Sequence, residues 1–297
     1  MLNLRDLVLA NTLFGGGSSG GGGNTGGGST EEWIGDGNTH IWISLPEGGT
    51  SIKFSAGIDG TYTVDWGDGT TPDTVSGREL NIQYVTPDHN YAAAGEYVIA
   101  ISVSGNLAFP SYCGLQDAEG YYYWQPIQKV EIGNGVTSIA NNAFSECYNL
   151  TSAKIPEGIT SIPENCFSRC VSLTSVNIPE SVTSIGNYAF QYCGKLASAK
   201  IPEGVTSIGS YTFRYCIGLA SVNIPESVTN IAASAFQFGL SIRSIRFERT
   251  TPPSVASANA FANLCNCCVI SVPVGSLEAY TTATNYPDPA TYTYIEE

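Results

Sequence analysis

Cys265, Cys267 and Cys268 place three thiols within four residues, the density at which cysteine binds metal or forms a disulfide. The C-x-C-C spacing lacks the paired C-x2-C of a zinc site and no histidine lies near it, so no metal is expected there. Nine cysteines is an odd number, which argues against a complete disulfide framework and leaves open a bridge among Cys113, Cys265, Cys267 and Cys268. Histidine is scarcer, with only His40 and His89 in 297 residues. There is no H-E-x-x-H and no serine in a credible nucleophile elbow, so hydrolysis by metal or by a Ser-His-Asp triad has no support. The G-x-G-x-x-G match at Gly15, Gly17 and Gly20 and the G-x-S-x-G match at Gly17, Ser19 and Gly21 lie in a glycine tract, which satisfies any glycine pattern. Paired carboxylates act on sugars, but Glu157, Glu180, Glu203 and Glu226 recur every 23 residues beside proline, as turn residues do. Asp59, Asp65, Asp68 and Asp73 carry the oxygen ligands calcium takes, yet they lack an EF-hand pattern, and Asp-Gly commonly serves turns; both readings stay open. The expectation is a protein without enzymatic activity, cofactor or metal.

The same period of 23 governs the apolar residues. Phe144, Phe167, Phe190, Phe213 and Phe236 form one column, and Cys147, Cys170, Cys193 and Cys216 another. Ile139, Ile162, Ile185, Ile208 and Ile231, with Leu150, Leu173, Leu196 and Leu219, keep the step. A fixed period with several apolar columns predicts a solenoid, because one unit cannot bury its own face and stacking creates the core. Within each unit, "LTSVNIP" reads as a strand closed by proline, "VTSI" as a second extended piece, and "NYAFQYC" as a helical or 3₁₀ turn. The phenylalanine and cysteine columns are expected to be core, the cysteines as small buried apolar side chains. Units opening with "AKIPEG" and "VNIPES" alternate, which points to duplication of a 46-residue pair.

Upstream, residues 1–14 read as a short amphipathic anchor helix, with Leu2, Leu4, Leu7, Val8, Leu9 and Leu13 supplying the apolar face. Residues 15–37 are a Gly/Ser-rich flexible linker, with ten glycines in the sixteen positions from Gly15 to Thr30. From 38 to 108 the pattern switches to period two, which predicts antiparallel strands of a small β-sandwich, with Asp59-Gly60 as a hairpin turn. Residues 109–129 read as connector and N-terminal cap, with the aromatic run at 121–124 covering the open end of the solenoid. The solenoid follows over 130–297 and ends in an atypical unit, since Phe236 to Phe261 is 25 residues.

Two resemblances attach to these segments. "TVDWGDGT" at 63–70, followed by "HNYAAAGEYVIAISVSG" at 89–105, resembles the polycystic-kidney-disease (PKD) type of Ig-like domain, through Trp66, Gly67, Asp68, Gly69, His89, Tyr91, Gly95 and Tyr97. The tryptophan-led pair that usually precedes this turn is reduced here to Val64-Asp65. "IPEGVTSIG", "AF" and "C" in a 23-residue frame resemble the BspA-like leucine-rich repeats, and "RTTPPSVASANAF" with "VISVPVGSLEAYTTATNYP" resembles the unit that ends such arrays. The second resemblance implies recognition and adhesion rather than catalysis, and the whole layout resembles gut-bacterial and phage proteins. The fold class expected is mostly β and multidomain: a PKD/Ig-like β-sandwich followed by a BspA-like solenoid of 23-residue units.

Charge narrows the partners. A net charge of −14 with no basic run repels phosphate backbones, so nucleic acid is not expected, and no apolar run is long enough to span a membrane. The expected partners are a host-cell surface glycan or protein, and a virion or cell-envelope scaffold held through residues 1–14. Two settings follow, a phage tail or head appendage or a bacterial surface adhesin, with a purely structural spacer as a further alternative. The outward strand column, Lys154, Asn177, Lys200, Asn223 and Arg246, is the expected ligand strip of cation and amide donors. Tyr148, Tyr188, Tyr192, Tyr211 and Tyr215 add hydroxyls near the opposite edge of the coils.

Overall fold

The computed structural model describes residues 33–45, 51–109, 115–117 and 127–297. The anchor expected at 1–14, most of the linker at 15–37, Cys113 and the aromatic run at 121–124 lie outside the described residues.

The first part is built from β1 (Thr39–Leu45), β2 (Ser51–Asp65), β3 (Asp73–Val85), β4 (His89–Asn90), β5 (Gly95–Phe109) and β6 (Leu115–Asp117). β5 pairs antiparallel with β1 on one side and β2 on the other, β2 continues to β3, and β4 and β6 add to β2. The alternating pattern buries one residue in two: Ile41 and Ile43 on β1, Tyr62 and Val64 on β2, Ile99 and Ile101 on β5.

Asp59-Gly60 is not a turn. It lies in the middle of β2, where Gly60 (φ +129°) faces Gly105 of β5 (φ +120°). A Cβ on Gly60 would meet the Ser104 carbonyl oxygen at 2.1 Å, and one on Gly105 would meet that of Asp59 at the same distance. The glycines serve a close crossing of two strands, a role that shares the Asp-Gly signature with a hairpin.

The coils follow. Their first strands are β7 (Ile127–Glu131), β9 (Ser152–Lys154), β11 (Ser175–Asn177), β14 (Ser221–Ile224), β16 (Ser244–Phe247) and β18 (Val269–Val272). Their second strands are β8 (Val136–Ile139), β10 (Ser161–Ile162), β12 (Ser184–Ile185), β13 (Ser207–Ile208), β15 (Asn230–Ile231) and β17 (Ser254–Val255). Helix α1 (Leu277–Thr282) and β19 (Thr293–Glu296) close the chain. Pairing between coils is parallel and in register, Ser175 to Ser152 and Ser221 to Ser244, as a 23-residue repeat requires.

The third piece of each coil is neither an α-helix nor, before the last coil, a 3₁₀ helix. The N–H groups of Tyr188, Phe190 and Tyr192 donate to the carbonyls of Ser210, Thr212 and Arg214 in the next coil. Those of Ala189, Gln191 and Cys193 donate within their own coil, to Gly186, Tyr188 and Phe190. Alternate peptides therefore point along the stack, and the residues two positions before and after each phenylalanine take up left-handed backbone: φ is +58° at Tyr188 and +62° at Tyr192. A helix would have kept all these bonds inside one coil, and this arrangement instead ties each coil to the next.

The interior is filled by stacked columns. Phe144, Phe167, Phe190, Phe213 and Phe236 are fully buried, with adjacent rings 5.2–5.4 Å apart and nearly parallel. The cysteine column is buried beside them, and the Sγ atoms of Cys170, Cys193 and Cys216 donate to the carbonyls of Phe144, Phe167 and Phe190 at 3.0–3.1 Å.

Both ends are covered. β1 pairs with β7, and β5 with β8, so a single sheet runs from β3 through β2, β5, β1 and β7 to β9 and β11. The β-domain thus supplies the pairing that the first coil's open edge would lack, and Phe109 of β5 seats its ring 5.1 Å from Phe144. At the far end Phe261, Tyr280 and Tyr286 gather around Phe247. The Tyr280 hydroxyl donates to the Arg249 carbonyl at 2.7 Å.

Candidate functional site

The ligand strip expected on the outward strand column is largely engaged within the protein. Lys154 Nζ donates to Glu131 Oε1 at 2.7 Å, Lys200 pairs with Glu180, and Asn223 Nδ2 donates to Glu248 Oε1 at 2.8 Å. Asn177 and Arg246 are exposed and have no side-chain partner among the described residues. The column is continuous as Asn177 beside Lys154 and as Arg246 beside Asn223, but residues 197–200 form no strand, and the sheet divides there.

Glu131 belongs to the junction with the β-domain. Its buried carboxylate accepts from Lys154 and from the backbone N–H of Ile34 and Gly35, and lies 3.9 Å from the buried His40. Burial pushes its pKa up, but the Lys154 ammonium and the two N–H groups outweigh that and hold it below the usual carboxylate value.

Farther across the sheet, in the row that joins Glu131, His40, Ala100 and Asp65, three acids serve the turn between β2 and β3, while Asp59 lies apart in the middle of β2. Asp65 accepts from Gly67 N, Asp68 from Thr70 and His89 Nε2, and Asp73 from the Trp66 indole. His89 stacks on Trp66 at 4.8 Å, and the Tyr91 hydroxyl donates to the Trp66 carbonyl. No group of three potential metal ligands occurs among the described residues.

Cys265 and Cys267 are joined in a disulfide, while Cys268 is free and buried, its thiol pushed up to about 11 by burial. In the repeat column, burial raises the Cys193 thiol well above its ordinary value and that of Cys216 to about 12. Thiols kept protonated in this way are poor nucleophiles.

The turn edge of the middle coils offers the more open chemistry. Tyr188 stacks on Tyr211 at 4.9 Å, Tyr192 on Tyr215 at 4.8 Å, and Tyr215 on Phe238 at 4.4 Å. Between the two ladders lies Arg214, its guanidinium carbon 5.5 Å from the Tyr211 ring, 4.8 Å from Tyr215 and 5.5 Å from Phe238. Its Nε donates to Gln237 Oε1 at 2.9 Å. The tyrosines stand out in the sequence as edge residues, whereas Arg214, Gln237 and Phe238 do not. The signal lies in the column Glu146, Arg169, Tyr192, Tyr215, Phe238, which changes from charged to aromatic partway through the repeats.

Residues 118–243 match the family model of the BspA type leucine rich repeat region, in six copies. No curated protein matches the chain significantly. Among solved structures, the chain is similar to the pneumococcal vaccine antigen PcpA, with a TM-score of 0.50 and 18% identity over 63% of this chain and 46% of that one. It is also similar to a T. pallidum leucine rich repeat protein, with a TM-score of 0.42 and 23% identity over 57% of this chain and 81% of that one. A leucine rich cell surface protein from Faecalibacterium prausnitzii gives a TM-score of 0.42 and 26% identity, over 54% of this chain and 51% of that one. The chain therefore spans about half the length of the pneumococcal and F. prausnitzii proteins. The likeness to PcpA extends to the fold, and the matching family is a repeat family rather than a catalytic one. The 23-residue register and the stacked phenylalanines of the described coils agree with this match to BspA-type leucine-rich repeats, which covers less than half of the chain.

Proposed function

We propose that the protein is a non-enzymatic binding protein that presents the outside of its repeat array to a surface ligand. The observation that carries this reading is where the chemistry lies. The interior is filled with stacked apolar side chains, while aromatic, amide and cationic groups form an ordered face along the coil turns. BspA-type repeats support adhesion at the level of the family. No helix among the described residues is long and apolar enough to cross a membrane.

In the finer reading, residues 38–108 are a PKD/Ig-like domain, supported by the turn that Trp66, Asp68, His89 and Tyr91 build together. Residues 1–14 dock on a scaffold and the glycine tract is the tether. The setting is the surface of a phage particle that recognises a host, or a bacterial surface. Intact peptide 1–14 detected by mass spectrometry in purified particles supports the first setting, and its recovery in a cell-envelope fraction supports the second.

The binding test uses the labelled full chain on whole cells from candidate hosts, with attachment read by flow cytometry. A triple change of Lys154, Lys200 and Arg246 to Ser separates the strand strip from the turn face. Saturable attachment is expected from the parent protein. Absence of attachment to every surface tried, by a chain that is folded by circular dichroism, overturns the reading.

A further inference from the structure

In a chain of net charge −14, three successive turn segments, 186–197, 209–220 and 232–243, contain no Asp or Glu and carry Lys195, Arg214 and Arg243. The two preceding segments hold Glu146 and Glu164. The contrast extends to the arginines themselves. Arg169 lies 3.7 Å from Glu146, whereas Arg214 has no carboxylate partner among the described residues. Three rings lie within 5.5 Å of the Arg214 guanidinium carbon and Gln237 accepts from its Nε, while its two terminal nitrogens make no hydrogen bond among the described residues and keep their donors for something outside the protein.

The frame around it has a specific backbone. Tyr188, Tyr192, Tyr211 and Tyr215 adopt φ of +58° to +62°, where earlier coils have Asn142 and Asn165 at the position of Tyr188 and Tyr211. Asparagine tolerates that backbone and tyrosine does not favour it, so the coils that carry the tyrosines hold them there against local preference. The hydroxyls of Tyr188, Tyr192 and Tyr211 make no hydrogen bond among the described residues.

We infer that this face, centred on Arg214, binds a carboxylate-bearing sugar of a surface glycan. A fixed guanidinium fork matches a carboxylate through two parallel hydrogen bonds, while phenol hydroxyls and the Gln191 amide suit the sugar's own hydroxyls. The strongly acidic remainder of the chain repels densely charged polymers, which favours one charge per sugar unit on a hydroxyl-rich body over a nucleic acid. The inference rests on the surface-recognition reading above and names its ligand class.

The test offers the immobilised full chain an array of uronate- and sialate-bearing oligosaccharides, each beside its carboxyl-reduced form, with a hexaglutamate peptide as a further probe. The parent is expected to bind at least one acidic sugar, and reduction of the carboxyl to weaken binding tenfold or more. Arg214→Gln should cause a loss of the same size, and Arg214→Lys should recover only part of it, since an ammonium keeps the charge without the fork. Near-UV circular dichroism and protection of the buried thiols check that both variants fold. No preference for acidic over reduced sugars, equal binding by a folded Arg214→Gln, or capture of hexaglutamate in place of the sugars overturns the inference. A parent chain that attaches to cells while the array shows no acidic preference defeats this inference alone. A parent chain that attaches to no surface defeats the broader reading.

Discussion

Phe109 of β5 lies against Phe144 of the first repeat, ring centroids 5.1 Å apart, and thereby extends the solenoid's phenylalanine stack into the β-domain. Phe109 is fully buried. Together with the β1–β7 and β5–β8 pairings, this contact makes the β-domain the N-terminal cap of the array.

Phe109→Ala is therefore expected to destabilise the repeats as well as the β-domain, by about 3–5 kcal/mol, the usual cost of truncating a buried aromatic. The four tryptophans all precede the repeats' cysteine column, so tryptophan fluorescence follows the first part and thiol exposure the second. In urea both probes should shift together to lower denaturant. A shift in fluorescence alone would show that the two parts unfold independently.

Cys170, Cys193 and Cys216 should resist a thiol reagent in the native protein and titrate only after denaturation, because they are buried and burial holds the Cys193 and Cys216 thiols protonated. Labelling of any of these three within minutes under native conditions would mean that the column opens to solvent.

Glu131 makes the junction sensitive to acid. Its folded pKa is lowered, so its contribution to stability is present above the unfolded value of about 4.3 and is lost as pH falls through the folded one. Glu131→Gln should unfold more readily than the parent at pH 7, with the difference shrinking below pH ~4. The check is a series of urea midpoints from pH 7 to pH 3. A difference that does not change with pH would place the carboxylate's role in packing alone.

The repeat was legible because burial acts on every coil alike: Phe190 and Phe213 occupy the same environment, so the same residue type returns after 23 positions. Features that depend on one partner left no period to read. Gly60 is a glycine because Gly105 crosses it, and the sequence alone does not distinguish that from a turn. Lys154 and Lys200 share a column, but Lys154 pairs with Glu131, the residue one step earlier in that same column, and Lys200 with Glu180 of the proline-flanked column, so the column alone does not show which cations are engaged. The turn segment has the length and composition of a helical turn, and only the direction of its N–H groups, toward the next coil, sets it apart. Arg214 was hidden because its setting is made by residues from three coils at once: Tyr211 and Tyr215 in its own, Gln237 and Phe238 in the next, and the Tyr192 ring that stacks on Tyr215 in the one before.

The most direct measurement is hydrogen–deuterium exchange of the full chain, alone and with polysaccharide released from the surface of a strain to which it attaches. The account predicts added protection in peptides covering 186–193 and 209–216, where the tyrosine ladders and Arg214 lie, with peptides covering Phe144 and Phe167 equally protected in both states. Protection confined to the strand column around Lys154 and Asn177, or to the loops of the β-domain, would contradict it.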